Sequence, residues 1–325
     1  MHSRVLPQIF ILMLVLLFAA AFSGCEATPA AASASSGSSS SKAVRASSGT
    51  TSSSRSASSA DSGAVSKWTG LTTAQEDANA DAGAYTDLSV GSLQGIPVIC
   101  YHDLMLPAAK GNVSNTLVMT TDKFDREMAI LKGAGYVTIG MEDLKKYIAN
   151  GGDASRKVMI TFDDGYKQSC LLAAPILRKY GFQATMFVIA RYLDEPEQAC
   201  DYSNFAIQYV SKKDLAETSD VFTFASHTYN MHIDLRTQSN LTKLRDDLLH
   251  SRSVLQETPY FAYPAGNFNA GVEQQLQQAG FTMAFTTKRK YVQPGIGLFE
   301  IPRFELYSNI SDAGFKGVLG ITKKQ

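Results

Sequence analysis

Val158-Met159-Ile160-Thr161-Phe162-Asp163-Asp164-Gly165-Tyr166 is the stretch on which the reading of this chain turns. Residues 158–162 are apolar or β-branched, with the length and composition of a strand buried on both faces. That strand runs straight into two carboxylates. Ionised side chains at the end of a buried strand are costly unless a positive group neutralises them, and a metal ion is the usual remedy. Neighbouring strand residues point to opposite faces, so Asp163 and Asp164 serve one site only where the strand gives way to a turn. Gly165 supplies the freedom for that turn. Taken alone, Asp-Asp-Gly suits an ordinary turn or helix cap equally well.

A second stretch separates the two readings. Residues 221–225 (Val-Phe-Thr-Phe-Ala) again read as a strand and lead into Ser226-His227-Thr228-Tyr229-Asn230-Met231-His232. Two imidazoles five residues apart beyond a strand end, with a carboxylate from another strand end, make a His2-Asp site that keeps open positions for water. A single histidine is more often a surface or satisfied core residue. The chain has only 5 histidines, so two in one such segment argue for a shared role.

Around these motifs, short apolar runs alternate with helical patterns. Strands are expected at 97–101, 136–139, 158–162, 184–189, 221–225, 260–263, 281–285 and 301–304. The clearest helix starts at Asp122, with Thr121 as its N-cap, Phe124, Met128 and Leu131 on one face, and Gly133 and Gly135 near its end. Others are expected at 171–180, closed by Gly181, at 239–255, and at 272–279, closed by Gly280. Repeated strand–helix alternation implies a parallel sheet with helices outside it. With no Gly-rich phosphate loop after the first strand, the expected fold is α/β, a distorted barrel of about seven parallel strands related to the TIM architecture. The chemistry of such a barrel lies where its strands end.

The chain's 325 residues carry 30 basic and 30 acidic side chains with no basic block, which argues against a nucleic-acid partner. Arg4, the apolar run 9–22 and Ser23-Gly24-Cys25 have the order of a secretory signal peptide, too short for a comfortable spanning helix. Ser and Ala dominate residues 26 to about 65, a composition that cannot offset its ordering entropy and suits a flexible tether. The expected organisation is a signal at 1–24, a tether and lead-in at 25–92, and a catalytic domain at 93–325. Ser-Gly-Cys25 resembles the lipobox of bacterial lipoproteins, with Phe22 where that motif usually has Leu. That resemblance implies acylation of Cys25, a lipid anchor in the cell membrane and an extracytoplasmic location. Setting Cys25 aside leaves Cys100, Cys170 and Cys200, an odd set that does not look like a disulfide framework; a Cys170–Cys200 bridge stays open.

Thr161-Phe162-Asp163-Asp164-Gly165-Tyr166, followed by Ser226-His227 through His232, resembles the polysaccharide deacetylase family, carbohydrate esterase family 4 or the NodB homology domain, over roughly residues 96–304. The resemblance implies Asp163 as general base, Asp164, His227 and His232 as ligands of one divalent metal, and the backbone N–H of Tyr166 as an oxyanion donor. Zinc is the default for such ligation, with cobalt or nickel fitting the same donors. Most members space the two histidines four apart. The wider spacing here, with Cys100-Tyr101-His102-Asp103 and Tyr263-Pro264-Ala265-Gly266, is similar to the branch that deacetylates poly-β-1,6-N-acetylglucosamine, and implies Tyr263 and Pro264 in substrate binding. No histidine follows His250, where the family commonly carries its catalytic acid, so His102 is expected in that role. The usual Arg before Tyr-Pro is also absent; Arg303 either orients Asp163 or forms a surface ion pair. An N-acetylated amino-sugar polymer is the expected partner and a monomer the expected state. A peptidoglycan or chitin-type deacetylase, or a non-catalytic carbohydrate-binding lipoprotein, are the alternatives.

Overall fold

Strand β6 (Lys157–Phe162) is buried from Val158 onward and sits near the middle of the sheet. In the computed structural model, which describes residue 85 and residues 87–324 apart from 112, 204 and 206, seven parallel strands follow the order β10-β9-β8-β7-β6-β2-β11. They are β2 (Val98–Tyr101), β6, β7 (Ala184–Val188), β8 (Phe222–Ser226), β9 (Tyr260–Ala262), β10 (Met283–Phe285) and β11 (Phe304–Glu305). β11 pairs with β2, while Ile301, just before it, bridges Phe285 of β10, so one segment joins the two ends of the sheet. The expected α/β barrel of about seven parallel strands is the observed fold. β5 (Val137–Thr138) pairs only with the start of β6 and lies off that path.

Period-two alternation divides each strand between two cores. Val98, Met159, Phe187, Ala225, Ala262 and Phe285 pack together in one cluster. Ile99, Ile160, Phe162 and Met186 join a second, built with Phe124, Met128, Cys170 and Leu177 of the covering helices. Those helices are α2 (Thr121–Gly133) and α4 (Lys167–Tyr180), and the face expected on α2 is the one buried. α4 begins four residues before the expected start and ends on Gly181, whose left-handed backbone (φ 67°) forms the cap. α6 (Leu241–Val254) and α7 (Ala270–Gln278) pack Leu244, Leu248, Val272 and Leu276 over Phe261 and Phe281.

Several elements had no sequence expectation. They are β1 (Leu88–Val90), β3 (Asp103–Met105), α1 (Pro107–Lys110), β4 (Val118–Thr120), α3 (Met141–Asn150), α5 (Lys212–Thr218), α8 (Asp312–Val318) and β12 (Ile321–Lys323). β1 pairs antiparallel with β12, so the folded unit starts earlier than residue 93. The signal 1–24, Cys25 and the Ser/Ala-rich tether lie outside the described residues. Among the described residues no helix is long and apolar enough to cross a membrane. Cys100, Cys170 and Cys200 are free thiols, so the Cys170–Cys200 bridge does not form.

Candidate active site and metal centre

The alternation that fills the barrel also carries its interior rows out at the strand ends. Residues 159, 161 and 163 share one face of β6 and its extension, as do 98, 100 and 102 of β2, and 301, 303 and 305 of the closing segment. Asp163, His102 and Arg303 therefore arrive at the same mouth. Asp163 is 3% exposed and Arg303 0%. Arg303 binds Asp163 with two parallel bonds, Nη1 to Oδ1 and Nη2 to Oδ2, each 2.6 Å. The guanidinium also donates through Nε to Thr286 O at 3.0 Å and through Nη1 to Thr161 Oγ1 at 3.3 Å, and lies over the Phe187 ring. Of the two readings left open for Arg303, the surface ion pair is excluded. Burial pushes the Asp163 carboxyl up, but Arg303 outweighs it, with help from His227, and holds the acid below its ordinary range.

Asp164 would project away from Asp163 if the strand continued. Instead it adopts φ 70° and Gly165 φ 74°, two consecutive left-handed residues that turn the chain at the strand end. A Cβ on Gly165 would stand 3.0 Å from Val188 Cβ, so the turn requires glycine for space as well as for φ. The turn brings Asp164 Oδ1 to 3.4 Å from His227 Nε2 and 3.0 Å from His232 Nε2. His227 is fixed from behind: its Nδ1 lies 2.8 Å from Ala262 O at the end of β9, which makes Nδ1 the protonated nitrogen and leaves Nε2 for the site. Burial raises the Asp164 pKa, the two imidazoles lower it more, and the carboxyl ends well below its ordinary range. His227 is moved down by burial and up, by a larger net amount, by Asp164 and Asp163.

Three donors, one from each residue, all lie within 4.8 Å of one another. Ligand atoms around a tetrahedral ion with bonds near 2.0–2.1 Å stand roughly 3.3 Å apart, so the separations of Asp164 from the histidines fit a bound divalent ion. Cys100, His102 and Asp163 form a second group of similar compactness. Both oxygens of Asp163 are already held by a guanidinium cation there, which opposes a second ion, and burial pushes the Cys100 thiol well up.

His102 Nε2 faces Glu305 Oε1 at 3.7 Å, its Nδ1 is buried without a hydrogen-bond partner, and Glu305 accepts a bond from Tyr307 Oη. Glu305 was missed in the sequence, although its place two residues beyond Arg303 on a strand was the signal for it. Tyr166 heads α4 and forms an antiparallel bridge with Tyr209, secured by Lys167 N to Gln208 O at 2.8 Å and Val210 N to Gly165 O at 3.0 Å. The rings of Tyr166 and Tyr209 stack at 5.6 Å, and those of Tyr209 and Tyr192 at 3.5 Å. Tyr263 and Pro264 are both buried; the Tyr263 ring stacks on Phe268 and its hydroxyl donates to Phe299 O at 3.0 Å.

Residues 150–284 match the polysaccharide deacetylase family model, a span that holds Asp163, Asp164, His227 and His232 but neither His102 nor Arg303. The poly-β-1,6-N-acetyl-D-glucosamine N-deacetylase of Staphylococcus aureus is 27% identical over 214 residues, covering 62% of this chain and 70% of that protein. YxkH of Bacillus subtilis is 25% identical over 230 residues, 68% of this chain and 74% of that protein. Among solved structures, a Streptococcus pyogenes deacetylase in complex with acetate superposes with TM-score 0.61 at 25% identity, over 69% of this chain and 97% of that one. IcaB from Ammonifex degensii shares the fold, with TM-score 0.58 at 22% identity over 71% and 97%. Fold, site and comparisons support the polysaccharide deacetylase family. The chain is distantly similar to the poly-β-1,6-N-acetyl-D-glucosamine N-deacetylase of Staphylococcus aureus.

Proposed function

We propose that this protein is a metal-dependent N-deacetylase that removes acetyl groups from N-acetylglucosamine units of an extracellular polysaccharide, with poly-β-1,6-N-acetylglucosamine as its polymer. The observation that carries the reading is the convergence of Asp164, His227 and His232 beside the Asp163–Arg303 pair. Asp164, His227 and His232 would hold one divalent ion, with zinc the default and cobalt or nickel fitting the same donors. When bound, such an ion acidifies water and polarises a carbonyl, the two forms of help that an unreactive acetamide needs.

The remaining steps belong to this chain's own residues. Arg303 keeps Asp163 ionised and oriented, and a carboxylate has lone pairs left to take the proton of the attacking water while both oxygens accept from a guanidinium. The Tyr166 N–H, at the start of α4, donates to the developing oxyanion in this reading. His102, held near Glu305, gives a proton to the departing amine. Acetate and a free amino sugar are the products. Adjacent Asp163 and Asp164 cannot straddle a glycosidic bond, whose two carboxyl groups stand about 5–9.5 Å apart on either side of it, so chain cleavage is not the proposed reaction.

The signal-like 1–24 segment and Cys25 support a lipid-anchored, extracytoplasmic enzyme, with the Ser/Ala-rich segment as its tether. The test is acetate release from β-1,6- and β-1,4-linked N-acetylglucosamine oligomers by the metal-loaded protein, with oligomer length followed in parallel. Release from the β-1,6 series without shortening is expected. Preference for the β-1,4 series would move the substrate to a chitin or peptidoglycan type, and no release from either would sink the enzyme reading.

A further inference from the structure

The two histidines of the site are held in different ways. His227 is 2% exposed and anchored at both ends, by its N–H to Val188 O at 2.9 Å and by Nδ1 at Ala262 O. The His232 side chain is 39% exposed, sits on a loop and meets Asp164. Its place is therefore set by the backbone of residues 228–231. That backbone is gripped from α6. Asp247 accepts from three successive N–H groups, Tyr229 at 2.8 Å through Oδ1, and Asn230 at 2.8 Å and Met231 at 2.9 Å through Oδ2. Three positions further along the helix, on the same face, His250 stacks on the Tyr229 ring at 3.8 Å and 15°. The carbonyls of Thr228 and Tyr229 are bound in turn by the N–H groups of Ala190 and Arg191.

A separate observation shows that the loop is under constraint. Thr228, β-branched and fully buried, has φ 82° and a hydroxyl without a partner. A conformation of that kind persists only where the surroundings over-determine it, and such strain gathers at functional sites. The grip on the following three residues is the restraint at hand.

We propose that Asp247 is a positioning residue that fixes the separation of His227 and His232 and so sets the affinity of the site for its divalent cation. The inference rests on the reading of these histidines as metal ligands. The chemistry of the grip calls for a carboxylate: only two oxygens free of hydrogen accept three N–H groups, whereas asparagine turns an NH2 group against one or two of them. Groups that orient metal ligands from behind typically cost about 10–100-fold in metal affinity when removed.

The experiment is a zinc titration of the metal-free protein against a chromophoric chelator, with the absorption spectrum of the cobalt-loaded protein as a second readout. Asp247→Asn and Asp247→Ala are expected to bind zinc about 10–100-fold more weakly and to shift the cobalt bands. Asp125→Asn, which removes a fully buried carboxylate on α2 that pairs with Lys179 of α4, is expected to leave zinc affinity within about twofold. A folded Asp247→Asn protein with wild-type zinc affinity and cobalt spectrum would overturn the proposal while leaving the metal reading intact. A wild type that binds no zinc, cobalt or nickel would overturn both. Should the variants not fold, hydrogen exchange in the metal-free wild type decides: slow exchange at Tyr229, Asn230 and Met231 is expected, and unprotected amides there would refute a grip that precedes the metal.

Discussion

Asp163 and Asp164 are neighbours in the chain and opposites in surroundings. On the arginine side of the site, Asp163 lies in a closed lattice of four guanidinium hydrogen bonds and a ring face, with Arg303 wholly buried. On the histidine side, Asp164 meets two imidazoles, one buried and one at the surface on a loop. A third buried carboxylate, Asp103, has no cation partner among the described residues: it accepts from Ser169 Oγ at 2.6 Å and Gln168 Nε2 at 3.1 Å. Burial penalises the charge of all three, and the partner decides the outcome. Asp163 and Asp164 are pulled below the ordinary carboxylate range, whereas Asp103, where burial outweighs its neutral partners, is pushed up to about 6. A fixed arginine suits a group that must stay ionised and receive a proton. A pair of imidazoles suits one that would share an ion with them.

The division between the two sides can be broken at either aspartate. Asp163→Asn is expected to lower kcat by roughly a thousandfold or more and leave zinc binding intact, whereas Asp164→Asn is expected to lose the metal along with turnover. Equal zinc loss in both variants would mean that the two sides are one. Arg303→Ala leaves a buried carboxylate with no cation, and a loss of about 3–5 kcal/mol in denaturant unfolding is expected. A shift under 1 kcal/mol would show that water already reaches Asp163. The contrast with Asp103 is sharpened by pH. Its raised pKa makes its contribution to stability fully present below about pH 3.9 and lost as pH rises through about 6, on the order of 3 kcal/mol in all. Unfolding of the metal-free protein between pH 3 and 8 is expected to show that decline, and Asp103→Asn to flatten it; identical profiles would remove Asp103 as the cause. His102→Ala, which leaves both aspartates in place, is expected to slow turnover about a hundredfold with zinc binding unchanged. A loss below tenfold would mean that another group protonates the amine.

Most of the barrel was legible because its signal is local. Each expected strand corresponds to an observed one within a few residues, since a buried parallel strand is an apolar run whatever lies next to it. The missed pairs, β1 with β12 and β3 with β4, are each three residues deep and join segments whose pairing no local pattern announces. At Tyr263 the strand end was legible, whereas its stacking on Phe268 and its bond to Phe299 O, contacts between segments distant in the chain, were not.

The sequence alone determined the strand ends that carry the chemistry and the turn that Gly165 makes just after the adjacent carboxylates, because alternation and glycine freedom act over a few residues; the candidate cation set of Asp164, His227 and His232 came from the resemblance of those motifs to a known family. Tertiary structure decided the rest: that Arg303 closes on Asp163 across 140 positions of chain, that Glu305 stands by His102, and that a helical aspartate holds the loop between His227 and His232. Those contacts are set by which strand ends and helices the closed barrel brings side by side, and no spacing along the chain encodes that distance.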